Sequence, residues 1–292
     1  MKTLAILVFA FTLVSHHARA EKRKLVWSDE FDYEGLPNSD KWDYEEGFQR
    51  NNEMQYYMKA RKENSRVEKG CLVIEGRREH MPNPRAGKGL YDWQRDRKFI
   101  EYTSASVITK KKFEFTYGRV EVRAKLPRGG GMWPAIWTLG VRFGDIGDPA
   151  WPRCGEIDIM EYFGKYPHTI YANNHFANPK IRNKAVHNSC GGGKIKIQSP
   201  YKDFHVYAIE WGEKNISFFV DDNQYASFRI DIAGKGPDNP FRKPHFLLLN
   251  LALGGSAGGR IDNAVLPQKY VIDYVRVYEP KTGPKTDPGD KK

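Results

Sequence analysis

Residues 154–162 read Cys-Gly-Glu-Ile-Asp-Ile-Met-Glu-Tyr and place three carboxylates within six positions of an otherwise apolar run. Ionised carboxylates are costly beside apolar neighbours, and they repel one another. The intervening residues favour an extended strand. On a regular strand Glu156 and Asp158 share one face and Glu161 takes the other. One extra residue, a β-bulge, would bring all three acids to one face. The alternative, a solvated surface strand, fits poorly with the alternate apolar positions and the flanking tryptophans.

The rest of the chain also alternates with the period of a strand, and helical periodicity is almost absent. Residues 119–126 alternate between charged and apolar side chains, and residues 246–253 form a nearly continuous apolar run that predicts burial on both faces. Further strands are predicted at 67–76, 205–211, 216–220, 225–230 and 270–278, and long loops at 79–98, 142–153 and 177–200. Many short strands joined by turns predict an antiparallel β-sandwich.

The two ends of the chain differ in composition from its body. Residues 1–20 have a positive start, a short apolar segment and an Ala-Arg-Ala cleavage site, which predicts a signal peptide, with an uncleaved anchor as the alternative. Residues 280–292 offer no apolar side chain to bury and predict a disordered basic tail. Residues 21–279 are then one domain. We expect a secreted or periplasmic monomer with no integral membrane segment after cleavage.

The net charge of the chain limits the kinds of molecule that it is expected to bind. The formal net charge is +11, which suits a polyanion such as a sulfated polysaccharide or serves solubility alone. The sequence has no zinc-finger or other nucleic-acid motif, so no nucleic-acid partner is expected.

The spacing of the three cysteines, Cys71, Cys154 and Cys190, matches no zinc-binding pattern. In an oxidising compartment one pair could form a disulfide, and Cys154 with Cys190 is the favoured pair.

The three acids of the bulged strand suggest a specific chemistry. Two glutamates that flank one point, with an aspartate between them, suit cleavage of a glycosidic bond. One carboxylate acts as nucleophile, and the other, as a carboxylic acid, donates a proton to the leaving oxygen. The aspartate can share a proton with one glutamate and so separate the ionisation of the two.

Glu-Ile-Asp-Ile-Met-Glu at 156–161, with Met-Trp-Pro-Ala-Ile-Trp at 132–137, resembles the catalytic region of glycoside hydrolase family 16 in its bulged, laminarinase-like branch. The resemblance extends to segments 25–32, 51–57, 117–127 and 273–278. It implies an all-β, concanavalin A-like jelly roll of two antiparallel sheets with a concave substrate cleft. It also implies that Glu156 is the nucleophile, Glu161 the general acid/base and Asp158 their partner in a retaining mechanism.

The resemblance also suggests the residues that contact sugar. Trp133 and Trp137 share a strand face and could serve as aromatic platforms or, above all for Trp137, as core. Asn52 and Glu53 match a stretch near the non-reducing subsites. His175 and Asn250 could line the cleft or be satisfied structural groups. These six residues form the predicted binding set.

A structural calcium ion is common in the family, whereas no catalytic cofactor is expected. Glu30, Asp273 and the carbonyl of Gly70 match the positions that hold the ion, and hard oxygen ligands suit calcium. The alternative is that both acids make only surface hydrogen bonds.

Three departures from the usual laminarinase pattern weaken the substrate assignment. No Trp occurs in Gly-Gly-Ser-Ala-Gly-Gly at 254–259, Ser106 stands where Arg is common, and Asn173-Asn174 precedes His175.

The sequence predicts an endo-acting hydrolase of β-1,3 or mixed-linked glucan. The alternatives are a hydrolase of a marine galactan, of the agarase or carrageenase kind, a transglycosylase using the same intermediate, and a non-catalytic glucan-binding module. The segments assigned to the cleft contain no Lys or Arg, which favours a neutral glucan. The exception is the rim segment, whose cations could reach over the cleft and hold a sulfate: Arg77, Arg78, Arg85, Lys88, Arg95 and Arg97, of which Arg95 and Arg97 are the ones to test.

Overall fold

The computed structural model describes residues 23–89, 91–144, 150–181 and 186–280. Within these ranges the chain forms two sheets packed face to face, with only short helices outside them. The predicted all-β sandwich is confirmed. The predicted signal peptide and the tail from residue 281 onward lie outside the described residues. Neither α-helix in the described ranges has the length and apolar character needed to cross a membrane.

The larger sheet has ten strands in the described part of the chain. Strands are numbered in chain order. Neighbouring strands in this sheet follow the order β16 (Asn223–Arg229), β15 (Asn215–Val220), β14 (His205–Trp211), β8 (Gly118–Lys125), β18 (Gln268–Tyr278), β5 (Cys71–Pro82), β6 (Phe99–Ser104) and β3 (Gln55–Tyr57). In addition, β1 (Leu25–Asp29) pairs with β18, and β4 (Ser65–Glu68) pairs with β5. The pairs are antiparallel except β3 with β6, which run parallel.

The smaller sheet has eight strands among the described residues, and its pairs are all antiparallel. The pairing order is β12 (His187–Ser189), β11 (Thr169–Ala177), β10 (Glu156–Tyr162), β9 (Met132–Gly140), β17 (His245–Leu253), β7 (Ser106–Ile108) and β2 (Asp43–Tyr44), while β13 (Gly193–Lys196) pairs with β11. The short helices are α1 (Asp92–Arg95) and α2 (Gly255–Gly258), with 3-10 turns at Ile230–Ala233, Pro240–Arg242 and Asn263–Val265.

Apolar side chains lie on both faces of the smaller sheet. One set, which includes Leu247 and Leu249, joins the main core between the two sheets. A second cluster, which includes Trp137, Phe246 and Leu248, lies on the opposite face. Every residue of β9 and β17 is therefore buried, and the predicted two-sided burial of the 246–253 run is confirmed. The second cluster forms the floor beneath the cleft face of this sheet.

Three local predictions were wrong. The predicted strand 67–76 is two strands, because Lys69 and Gly70 have φ angles of 54° and 72° and reverse the chain in a two-residue turn. The predicted loop 79–98 begins with the end of β5 and contains α1. The predicted loop 177–200 contains β12 and β13.

The favoured disulfide is absent from the structure: Cys154 and Cys190 are not bridged. Cys154 is buried in the cluster beneath the cleft face. Cys190 packs against the main core on the other side of the sheet. Because the two side chains belong to different apolar clusters, each is accounted for by packing.

Candidate active site

The acidic strand β10 contains the predicted bulge. Against β11, Asp158 pairs with Asn173 and Glu161 with Tyr171, so β10 advances three residues while β11 advances two. Against β9 the register shifts between Asp158 and Met160. One residue of β10 is therefore unmatched on each side, which is the definition of a β-bulge.

The bulge changes which side chains face the core. Ile157 and Ile159 point into the main core in regular alternation, and Met160, the next residue, points there too. Tyr162 follows in the same core. Two consecutive core-facing residues shift the alternation by one, so Glu161 shares the opposite face with Glu156 and Asp158. The predicted gathering of three acids on one face is confirmed.

The three carboxyls lie close enough to affect each other's ionisation. Burial, followed by the charge of Asp158, raises the pKa of Glu156 well above its ordinary value. Burial and the charge of Glu161 raise the pKa of Asp158 strongly, and a hydrogen bond with Glu156 opposes this rise. Full ionisation of both members of this carboxyl pair is disfavoured, because two adjacent buried charges repel.

An indole N–H donates a hydrogen bond to Glu161. Trp133 on β9 donates from Nε1 to Glu161 Oε1 over 3.0 Å, and its ring lies 5.5 Å from that of Phe163. Burial raises the pKa of Glu161, and the Trp133 hydrogen bond offsets part of that rise. Trp133 therefore lies beside the predicted acid/base Glu161, although only 8% of Trp133 is exposed.

Glu156 is surrounded by groups from three other segments. Trp151 donates from Nε1 to Glu156 Oε2 over 3.0 Å. His175 Nε2 lies 3.0 Å from Asp158 Oδ2 and 3.8 Å from Glu156 Oε1. The other nitrogen of His175, Nδ1, is 2.8 Å from Nε2 of His187. His175 therefore connects the acids to a second imidazole, whose ring packs 4.6 Å from Trp151.

Three predicted sugar-contact residues lie in a hydrogen-bonded network beneath the cleft. Trp137 donates to Asn250 Oδ1 over 2.7 Å, Asn250 donates to the Tyr57 hydroxyl over 2.8 Å, and that hydroxyl donates to Glu53 over 3.3 Å. Asn250 is 4% and Glu53 2% exposed. The geometry favours the structural alternative for these three residues: they support the cleft floor. Asn52, in contrast, is exposed and lines a pocket at the outer end of the cleft.

One arginine at the cleft floor was not predicted. The Arg50 guanidinium lies 4.9 Å from the Trp137 ring centroid and forms an ion pair with Glu45. Ser106, noted because Arg is common there, donates to the other oxygen of Glu45 over 2.7 Å. The expectation of a cleft without Lys or Arg was therefore wrong, because Arg50 enters from a segment that was not assigned to the cleft.

Trp151 and His187 were also missed. Both lie in stretches that were read only as loops, and the sequence carries no spacing that links them to Glu156. Of the two, only Trp151 could have been predicted from the sequence, because an aromatic side chain five positions before Glu156, the predicted nucleophile, can reach that glutamate. His187 reaches His175 through the pairing of β12 with β11, which no local pattern predicts.

The described residues contain one group of at least three side chains with metal-ligand geometry. Donor atoms of Glu156, Asp158 and His175 lie within 4.8 Å of one another. These side chains are also the groups suited to acid–base chemistry, and a metal ion there would occupy the reacting position.

The residues predicted to hold calcium do not fit an ion as they are placed. Glu30 makes two hydrogen bonds to Arg276, at 3.0 and 2.7 Å, and Asp273 is 2.5 Å from Arg123. Both carboxylates are therefore already neutralised by arginine. Gly70 is part of the turn between β4 and β5.

Comparison with known proteins agrees with this geometry. Residues 52–276 match the profile of the Glycosyl hydrolases family 16. The chain is 42% identical over 287 residues to a beta-glucanase of Rhodothermus marinus, covering 94% of this chain and 92% of that protein. An X-ray structure of the laminarinase from Rhodothermus marinus superposes with a TM-score of 0.73 at 42% identity, covering 89% of this chain and 99% of that one.

A third relative has a different stated role. It comes from work on endo-acting O-glycanases with which members of the human gut microbiota initiate mucin breakdown. It superposes with a TM-score of 0.80 at 37% identity, covering 89% of this chain and 94% of that one. The profile match over residues 52–276 includes the bulged strand and strands of both sheets, and the chain belongs to glycoside hydrolase family 16.

Proposed function

We propose that this protein is an endo-acting β-glucanase that cleaves β-1,3 or mixed-linked glucan with retention of anomeric configuration. The observation that carries the proposal is the bulge in β10, which puts two glutamates and an aspartate on one face. The Rhodothermus marinus relatives, a beta-glucanase and a laminarinase, support glucan as the substrate.

In the proposed mechanism Glu156 is the nucleophile. Its carboxylate attacks the anomeric carbon while Glu161 donates its proton to the departing glycosidic oxygen. The products of this step are a covalent glycosyl-enzyme and a free reducing end. Glu161, now ionised, takes a proton from water as the water attacks the same carbon, and Glu156 leaves as a carboxylate.

The neighbours of the glutamates separate their protonation states. In the proposed first step a proton shared by Asp158 and Glu156 lies on Asp158, so that Glu156 attacks as the carboxylate, and the Trp151 N–H stabilises the Glu156 charge. Around Glu161 burial dominates, so the neutral acid is favoured before the first step. His175 faces Asp158 and Glu156 and holds their orientation through its bond to His187.

The test is a panel of purified polysaccharides with product sizing. Laminarin, lichenan, agarose, carrageenan and mucin are incubated with the enzyme, and products are sized over time. The proposal expects early release of mixed oligosaccharides from laminarin or lichenan. Release of a single small product would contradict endo action, and cleavage of none of the glucans would contradict the substrate assignment.

A second candidate is a family member that acts on a galactan or on a host O-glycan. It is favoured by the 254–259 stretch, which has Ser and Ala where laminarinases carry Trp, and by the TM-score of 0.80 with the O-glycanase structure. The galactan and mucin arms of the same panel decide between the two. A non-catalytic module is disfavoured because both glutamates and the bulge are retained.

Secretion through the leader at residues 1–20 is part of the proposal. Its support is the sequence pattern described above. N-terminal sequencing of the protein recovered from the periplasm or medium should begin at Glu21. A chain that retains Met1 would contradict it.

A further inference from the structure

An outer pocket lies at one end of the cleft face. Its lining includes Asn52, Met54, Tyr102, Arg260, Ile261 and Asn263, and its volume is about 590 Å³. This volume falls within the range of roughly 300–1,000 Å³ that is usual for small-ligand sites. Of the predicted sugar-contact residues, its lining contains Asn52.

The outer pocket adjoins the acid/base side of the site. Gly258, beside the pocket, lies so close to Trp133 that a Cβ at Gly258 would be 3.5 Å from the Trp133 Cβ. Trp133 in turn donates to Glu161. Trp133 therefore contacts Glu161 and also lies next to Gly258, the chain neighbour of the pocket-lining residue Gly259.

The pocket walls are held by backbone hydrogen bonds. Ser256 N donates to Asn51 O and Met54 N to Leu253 O, each over 2.8 Å. Gly255 has φ +71°, and a Cβ there would be 2.9 Å from Asn51 O, so only glycine fits this approach. The Tyr102 hydroxyl donates to Asn263 Oδ1 over 2.8 Å. The pocket is therefore formed before any ligand binds.

Two arginines of the cleft rim, Arg95 and Arg97, have partners within the protein. Arg95 is paired with Asp92. Arg97 lies over the Phe48 and Trp93 rings and donates to the Glu53 carbonyl over 2.8 Å. The earlier expectation that Arg95 or Arg97 holds a sulfate therefore lacks an available guanidinium, because both groups have intramolecular partners.

Arg260 differs from Arg95 and Arg97. It is exposed in the outer pocket, has no carboxylate partner among the described residues, and none of the residues lining the pocket is acidic. The Lys165 side chain comes to the same edge, with its ammonium 3.8 Å from where a Cβ on Gly259 would lie. An available guanidinium with amide and hydroxyl groups around it suits an oxyanion on a sugar.

We propose that the outer pocket is a subsite for a sugar that carries an anionic substituent, a sulfate ester or a carboxylate, and that Arg260 binds this group. The inference rests on the proposed glycan-cleaving function and names the substrates that the enzyme prefers. Charged polymers should be cleaved better than neutral ones of the same backbone.

The test compares native laminarin, lightly sulfated laminarin and 6-carboxylated laminarin. Wild-type enzyme, Arg260→Gln, Arg260→Lys and a control, Arg229→Gln, are assayed for kcat/KM. Arg229 is an exposed arginine on β16 of the other sheet. Arg260→Gln should lower kcat/KM on a charged polymer by about tenfold to a hundredfold, as expected for loss of a charged hydrogen bond. It should leave native laminarin within twofold, and Arg260→Lys should retain part of the preference.

A loss on the sulfated polymer alone assigns sulfate, and a loss on the carboxylated polymer alone assigns a carboxylate. Equal losses on charged and native laminarin, or no loss on any polymer, would overturn the subsite. Retardation of each variant in gels containing the same polymers is measured in parallel. Failure to cleave any laminarin, with Arg260-dependent retardation by the charged polymers, would reject the glucanase proposal and keep the subsite.

Discussion

Both faces of β10 contain buried residues, although Glu156 and Glu161 on the cleft face are only half-buried, and the side chains on the two faces are opposite in character. Toward the core, Ile157 is fully buried and Ile159 is 1% exposed, and both contact other apolar side chains. Toward the cleft, Asp158 is only 3% exposed, but it has two other acids as neighbours. Burial alone therefore does not separate the structural face from the reactive one. The difference lies in what surrounds the buried groups.

Ionised carboxylates on the cleft face raise the free energy of the folded state, whereas the apolar side chains on the core face do not. Burial raises the pKa of all three acids, which means that their ionised forms are disfavoured in the fold. Such clusters are typical of functional sites, where ionisation is tuned for a reaction. The core face should then govern stability and the cleft face activity, and each prediction below tests that division.

The largest effect is expected on the cleft face. Glu156→Gln and Glu161→Gln each remove a reacting carboxyl and should lower kcat by about 10³-fold or more. Tm should stay the same or rise, because a buried like-charge contact is lost. Glu213→Gln, at an exposed turn position, is the matched control and should change neither quantity. Near-full activity in either active-site variant would remove that residue from the mechanism.

The opposite result is expected on the core face. Ile159→Ala leaves a cavity and should lower the free energy of unfolding by about 2–5 kcal/mol. Its kcat per folded molecule should stay within a few-fold of wild type at a temperature where the variant is folded. Chemical denaturation and active-site titration measure the two quantities. A large loss of kcat with unchanged stability would show that the two faces are not separable.

The core side also contains a titratable group, His245. Burial among Trp211 and Phe241 lowers the pKa of His245 to about 4, against about 6.5 in the unfolded chain. Between these values the unfolded state binds the proton and the folded state does not, so stability falls as pH is lowered from about 6.5 to about 4.

The resulting loss of stability should reach about 3 kcal/mol at the acid end of that window. Denaturant unfolding at pH 7, 5.5 and 4.5 measures it. The carboxylates titrate in the same range, so His245→Gln provides the reference: its stability should depend less steeply on pH than that of the wild type. Equal slopes in the two proteins would contradict the assignment.

The smallest effect concerns the Trp133 hydrogen bond. Trp133→Phe removes the indole N–H whose hydrogen bond lowers the pKa of Glu161, so that pKa should rise. Because the reaction needs protonated Glu161, activity falls as pH rises through its pKa. The basic limb of the kcat/KM profile should therefore move to higher pH. A shift to lower pH would contradict the role given to Glu161.

The sequence predicted most strands because their side chains alternate between one solvent face and one core face. It predicted the bulge from the need to put Glu161 beside Glu156. It missed the Lys69–Gly70 turn because apolar residues continue on both sides of it. It also missed Arg50, Trp151 and His187, whose roles depend on approaches between segments that are distant in sequence or on loop conformation. Local periodicity does not encode such approaches.

The ion pairs that Glu30 and Asp273 each form with an arginine were also not predictable from local sequence patterns. Matching positions suggested calcium, but whether a carboxylate is available depends on its partner, and Arg276 and Arg123 lie on strands whose side-chain contacts no motif specifies.

The central claim is that the bulge gives one face two glutamates that act in succession. The direct measurement is the anomeric configuration of the first product, followed by proton NMR from the start of hydrolysis of the polymer that the panel identifies as substrate. The claim predicts that the β-anomer appears first and that the α-anomer grows only at the rate of mutarotation. Initial appearance of the α-anomer would mean a single displacement by water and would contradict the role of Glu156 as nucleophile.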